Sequence, residues 1–170
     1  MWSRIWVRLS IGFGMLLMLI SMIGFGLIGG WFGGQLFNAL MVVPHFSRNP
    51  PQSLVGWAAM RFDNLADFFV VFAPIWPLVL LLIAFFFAKG NAARPWMLTA
   101  AGLALVCNLI LSWMVPTIMR INQPDHGGLD DPALRTLLDH WIAMNWVRLT
   151  VDFLIFATAL RALTLANPST

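Results

Sequence analysis

Four long apolar runs, at about 9–43, 65–88, 95–119 and 141–165, constrain this chain more than any other feature. Crossing the hydrocarbon core of a bilayer takes roughly 20 mostly apolar residues, and each run is long enough. The expected architecture is therefore an all-α membrane protein, a four-transmembrane-helix bundle that forms one integral membrane domain over residues 1–170. Composition agrees: 60% of residues are hydrophobic, 10% are charged and the mean hydropathy is +0.82, whereas about a quarter of residues are charged in soluble proteins. Arg4 and Arg8 precede the first run as they would in a signal peptide, but the stretch is too long and lacks a convincing small-x-small cleavage site. It reads as a retained helix.

Charge sorts the segments by side. Four spans put both termini on one side, which then carries Arg4, Arg8, Lys89, Arg94 and Arg161 and no acid. The other side carries all seven acids (Asp63, Asp67, Asp125, Asp130, Asp131, Asp139, Asp152) with five arginines, a net −2. Clustering of Lys and Arg in short segments marks the cytoplasmic side, so the expected place is a bacterial inner (plasma) membrane with both termini in the cytoplasm. The net charge of +3 then reports topology and leaves no nucleic-acid footprint. Trp2, Trp6, Trp57, Trp96, Trp113, Trp141 and Trp146 fall near the ends of the runs, where indoles favour the headgroup level.

Two loops are expected on the acidic side. In "PHFSRNPPQS" the prolines and polar residues end the first helix, and "LVGWAAMRF" suits a short interfacial helix. In "RINQPDHGGLDDPALRTLLDH", Asp130 or Asp131 reads as an N-cap with Pro132 at the first helical position.

The fourth run contains charges that lipid should reject. Trp141, Asn145, Arg148 and Asp152 follow i, i+4, i+7, i+11 spacing and share one helix face. Arg148 and Asp152 are i, i+4 neighbours able to pair, and an unpaired charge at bilayer depth costs at least ~2.5 kcal/mol. The stripe must face protein or water. Asp63, Asn64 and Asp67 mark a polar entrance on the second run, Gln35, Asn38 and His45 fall on one side of the first, and Asn108 adds an amide from the third. Together they outline an outward-opening polar pocket walled by Phe, Met and Trp, in the place where bundles build their sites. The plainer reading makes the same groups interhelical fasteners, each contributing roughly 0.6–2 kcal/mol; Asn108 suits it best, the helix-four stripe least. His45 and His140 lie at the outer boundary, where an exposed interfacial His is the ordinary outcome.

Other chemistry finds little support. Cys107 is single and lies in an apolar run, so it proposes no disulfide and no metal cluster. "DHGGLDD" gathers Asp125, His126, Asp130 and Asp131 without any metal-ligand spacing, and "GFGLIGG" is a glycine pattern inside a span, not between a strand and a helix. No metal and no tightly bound cofactor is expected. Gly26, Gly30 and Gly34 make a flat helix face, first for packing and alternatively for a homo-oligomer.

Four segments, "MVVPHF", "FFVVFAPIWPLVLLLI", "CNLILSWMVP" and "HWIAMNWVRLTVDFLIFA", together resemble the anthrone oxygenase-like family of small four-helix membrane proteins, with Trp141, Asn145 and Arg148 as the most specific part. One departure is Ile118, where the family often has Asn. The resemblance implies a cofactor-independent oxygenase acting on an anthrone-like or other lipophilic aromatic molecule. His45 or Asp152 would then be the base, Arg148 and Asn145 would hold the developing oxyanion, and Trp141 would stack on the rings, with Asn108, Asn38 and Asp67 lining the pocket. Two other classes compete: a non-catalytic scaffold or assembly protein, and an oligomeric transporter or channel. The near absence of polar groups from the inner halves of the helices argues against a continuous path in one monomer.

Overall fold

The computed structural model describes residues 19, 22–54, 75–87, 90–121, 123 and 125–166, and these form helices and connections with no strand. Helix α1 covers Met22–His45, α2 Ile75–Phe87, α3 Arg94–Ile121 and α4 Asp131–Ala166. Two of them, α1 and α3, are long and apolar enough to cross a membrane. At about 1.5 Å per residue they reach roughly 36 and 42 Å, against a hydrocarbon core of about 30 Å.

Pro44 does not stop the first helix, contrary to the sequence expectation. It has no N–H to donate to the Leu40 carbonyl, and its ring would collide with that carbonyl in a regular α-helix. The backbone answers with a wider π turn at Asn38–Val42, in which the Val43 N–H bonds the Asn38 carbonyl, and then runs on helically through Val43–Ser47. The buried positions Gln35, Ala39 and Val43 are spaced by four. In a regular α-helix two such steps would rotate the stripe by about 80°, and the wider turn reduces that drift.

The last helix is also longer than its apolar run. Asp130 Oδ1 accepts the Ala133 N–H at 2.9 Å and caps α4, so the helix begins ten residues before Trp141. Its first turns dock on the segment that follows α1, where Arg135 donates to the Pro50 carbonyl at 3.0 Å. The α3–α4 connection turns through a 3-10 segment, His126–Gly128, with His126 and Gly128 at positive φ; the His126 ring bonds the Ile121 carbonyl at the end of α3. Between α2 and α3, Gly90 takes φ +78°, a conformation that a Cβ disfavours, and Asn91 Oδ1 accepts the Ala93 N–H.

Helices α3 and α4 meet along small side chains. Ala100, Ala101, Ala104 and Cys107 on α3 lie in one buried cluster with Ile155 and Ala159 on α4, Ile28 on α1 and Leu81 on α2. Small residues let helix backbones approach closely. A second cluster (Val43, Leu54, Met114, Ile121, Leu134, Leu138, Trp141) fills the end near the His126 turn. Large apolar side chains point the other way: Leu98, Leu105, Leu109, Met119, Phe153 and Leu160 are exposed. The hydroxyls of Thr99, Ser112, Thr117 and Thr150 on the outer faces donate to carbonyls three or four residues back in their own helix. Trp96, Trp113 and Trp146 are exposed as the belt expectation has them, whereas Trp141 is buried, because it sits on the inward stripe of α4.

Candidate functional site

Between the two apolar clusters lies a polar layer. Gln35 on α1 and Asn145, Arg148 and Asp152 on α4 are buried, with exposures of 0%, 1%, 5% and 1%. Along α4 the buried positions Leu134, Leu138, Trp141, Asn145, Arg148, Asp152, Ile155, Ala159 and Ala162 recur every three or four residues, with Leu149 buried beside Arg148. The same periodicity that buries the apolar residues thus carries the charges into the bundle.

Two hydrogen-bonded groups make up the layer. In the first, Arg148 Nη2 donates to both Gln35 Oε1 and Asn145 Oδ1. In the second, Asp152 Oδ1 accepts the Trp31 indole N–H at 2.9 Å and the Cys107 thiol at 3.1 Å. The ion pair links them, with Arg148 Nε 4.0 Å from Asp152 Oδ2. Three helices therefore meet at one pair of opposite charges. Three buried atoms in the layer, Gln35 Nε2, Arg148 Nε and Asp152 Oδ2, make no hydrogen bond among the described residues. A buried polar atom without a partner costs about 1–3 kcal/mol.

A small cavity opens beside Asp152, lined by Ile28 and Trp31 from α1, Pro77 from α2, Ala104 from α3 and Asp152 and Ile155 from α4. It offers room for about one water molecule.

The residues singled out from sequence divide clearly. Asn145, Arg148 and Asp152 come together as the helical spacing requires, and Trp141 lies one turn from Asn145 in the adjoining apolar cluster. Asn108 does not join them: its amide donates to the Ala104 carbonyl of its own helix at 2.8 Å. Asn38 is half-buried in the π turn, and His45 is exposed, two residues past the buried Val43 and so on another face of the helix. The structure does not bring His45 to Asp152. Asp67, with Asp63 and Asn64, lies outside the described residues. Of the glycine face, Gly26 is exposed while Gly30 and Gly34 are half-buried. Among the described residues no three His, Cys, Asp or Glu side chains are close enough to share a metal ion.

Sequence reasoning passed over Trp31 and Cys107. The signal was present in the spacing: Ala100, Ala104 and Cys107 follow i, i+4, i+7 and define the small-residue face of α3, while Asn108 falls beside it. Likewise Gly24, Ile28, Trp31 and Gln35 form a buried stripe at steps of four, three and four. Polarity drew attention to Asn108, whereas position decided for Cys107.

No family model, curated protein or solved structure matches the chain.

Proposed function

We propose that the chain is an integral membrane protein of four spans, both termini cytoplasmic, whose polar layer around Arg148 and Asp152 binds a lipophilic aromatic molecule. The single observation that carries this reading is that three buried atoms of the layer, Gln35 Nε2, Arg148 Nε and Asp152 Oδ2, make no hydrogen bond among the described residues, the last two facing each other only as an ion pair at 4.0 Å. A layer that served only to fasten helices would be expected to satisfy its own hydrogen bonds, and ionisable groups at bilayer depth are functional more often than incidental.

The membrane setting is supported by the inverted surface. Large apolar side chains such as Leu98, Leu105, Leu109, Phe153 and Leu160 cover the outer faces while Gln35, Asn145, Arg148 and Asp152 are turned inward, and the outward hydroxyls bond their own helix as they must where water is absent. Depth follows from the tryptophans. Cys107 touches Asp152 across antiparallel helices, so Trp113 and Trp146, each six residues away toward the same end, stand at one level. Trp96 lies 17 residues from Trp113 on α3, about 25 Å of rise. Asp152 then sits about 9 Å inside the nearer Trp level.

For the chemistry, the resemblance to the anthrone oxygenase-like family supplies the reading: an acidified ring CH2 and O2 give a ring carbonyl and water, without a cofactor. Arg148 and Asn145 would hold the enolate oxygen. With His45 exposed, Asp152 is the nearer candidate to take the proton.

A second reading, a structural fastener, is favoured by one observation: Trp31, Gln35 and Cys107 reach the α4 charges from two other helices. Melting of purified wild type and Arg148→Gln in detergent, with and without a panel of hydroxylated polycyclic aromatics, separates the two. The binding reading expects a ligand to raise the wild-type melting temperature and to leave a folded variant unmoved, with oxygen uptake as the next assay. If the variant unfolds and no compound shifts the wild type, the layer is a fastener.

A further inference from the structure

We infer that the cavity at Asp152 is a separate small subsite that takes one neutral hydroxyl group, supplied by water or by a small aliphatic alcohol. The inference rests on the reading above in treating the polar layer as a ligand site, but the group it concerns is too small to be an aromatic ring.

The argument starts from the two oxygens of one carboxylate. Asp152 Oδ1 already accepts from Trp31 and Cys107, while Oδ2 is buried and accepts nothing among the described residues. Asp152 also lines the cavity. An occupant with a hydrogen to donate is therefore favoured, because an apolar group would leave a buried carboxylate oxygen without a hydrogen bond. It must also be neutral. Arg148 balances Asp152 at 4.0 Å, so an ammonium would set a second cation beside the guanidinium, and an anion would oppose the carboxylate, each without water to screen it.

Size narrows the choice further. Ile28, Pro77, Ala104 and Ile155 close the walls, and the space suits about one water-sized group. A hydroxyl meets all three conditions, and its oxygen can in turn accept a hydrogen bond.

The Trp31 indole lines the same cavity and provides the probe. Protein with 15N-labelled indoles is prepared in detergent, the Trp31 resonance is assigned by Trp31→Phe, and cross-relaxation from its N–H to water and to added 13C-methanol is recorded. A water cross-peak supports the subsite with water as the source, and a methanol methyl cross-peak supports it with an alcohol as the source. Ala104→Leu fills the cavity and should abolish either peak while the other indole resonances keep their positions. Should that variant fail to fold, Ala104→Ser, which brings its own hydroxyl, should weaken the peak. Absence of both cross-peaks in the wild type overturns the subsite, as does an undiminished peak in the folded cavity-filling variant. An aromatic panel that shifts nothing defeats the reading of the preceding subsection and leaves this cross-peak unaffected.

Discussion

Helix α3 turns Ala100, Ala101, Ala104, Cys107 and Met114 inward over its 28 residues, whereas its neighbour α4 turns Asn145, Arg148 and Asp152 into the same seam. Both present large apolar side chains outward. The inward faces differ in what they require. The face of α3 is neutral throughout and small from Ala100 to Cys107, so it tolerates lipid before its partner arrives. The face of α4 carries two charges that become tolerable only against Gln35, Trp31 and Cys107 from other helices. One helix is a platform, and the other depends on it.

The largest effect should appear where α4 is deprived of that platform. In a membrane-insertion assay of single segments, the two charges add about 5 kcal/mol to the cost of the α4 span, so 95–119 should insert efficiently and 141–165 poorly. Replacing both Arg148 and Asp152 by Leu should restore insertion. Equal insertion of the two native segments would erase the contrast.

Within the folded protein, Asp152→Ala leaves a buried guanidinium without its counterion and should lower stability by about 3–5 kcal/mol, read by thermal or denaturant unfolding in detergent. The double variant Arg148→Met with Asp152→Leu should recover much of that loss, since a packed apolar pair replaces two desolvated charges. A double variant no better than the single would mean that the layer's hydrogen bonds, not its charge balance, hold the helices.

Overfilling tests the other side of the seam. Ala100 is fully buried against α4, and Ala100→Leu should cost about 1–3 kcal/mol by forcing the helices apart. Leu109→Ala, on the exposed face of the same helix, should change little by comparison. The smallest effect is expected at Asn108. Its amide bonds its own helix, so Asn108→Ala should cost at most about 0.6 kcal/mol. Asn145→Ala removes an acceptor from Arg148 and should exceed it by at least about 1 kcal/mol. A reversal of that order would place Asn108 in the site after all.

Much of the site was legible because helical geometry is local. The i, i+4, i+7, i+11 pattern of Trp141, Asn145, Arg148 and Asp152 fixes a common face wherever the helix lies, and the face is buried. The rest depended on neighbours. Asn108 and Cys107 are adjacent and differ by about 100° around the axis, so only the packing of α3 on α4 could say which one meets Asp152. His45 depended on how the chain passes Pro44, and the π turn carries it to the exposed side.

The sequence by itself determined that the chain is helical and apolar and that Trp141, Asn145, Arg148 and Asp152 share one helix face; of the four spans it led one to expect, the described helices include two long and apolar enough to cross a bilayer. Those are consequences of composition and of a fixed 3.6-residue period. Only the tertiary structure decided that Trp31 and Cys107 share one carboxylate oxygen, that Gln35 meets Arg148, and that a cavity remains beside Asp152. Such contacts are set by the rotation and depth of one helix against another, and these depend on how side chains from distant parts of the chain fill the space between them.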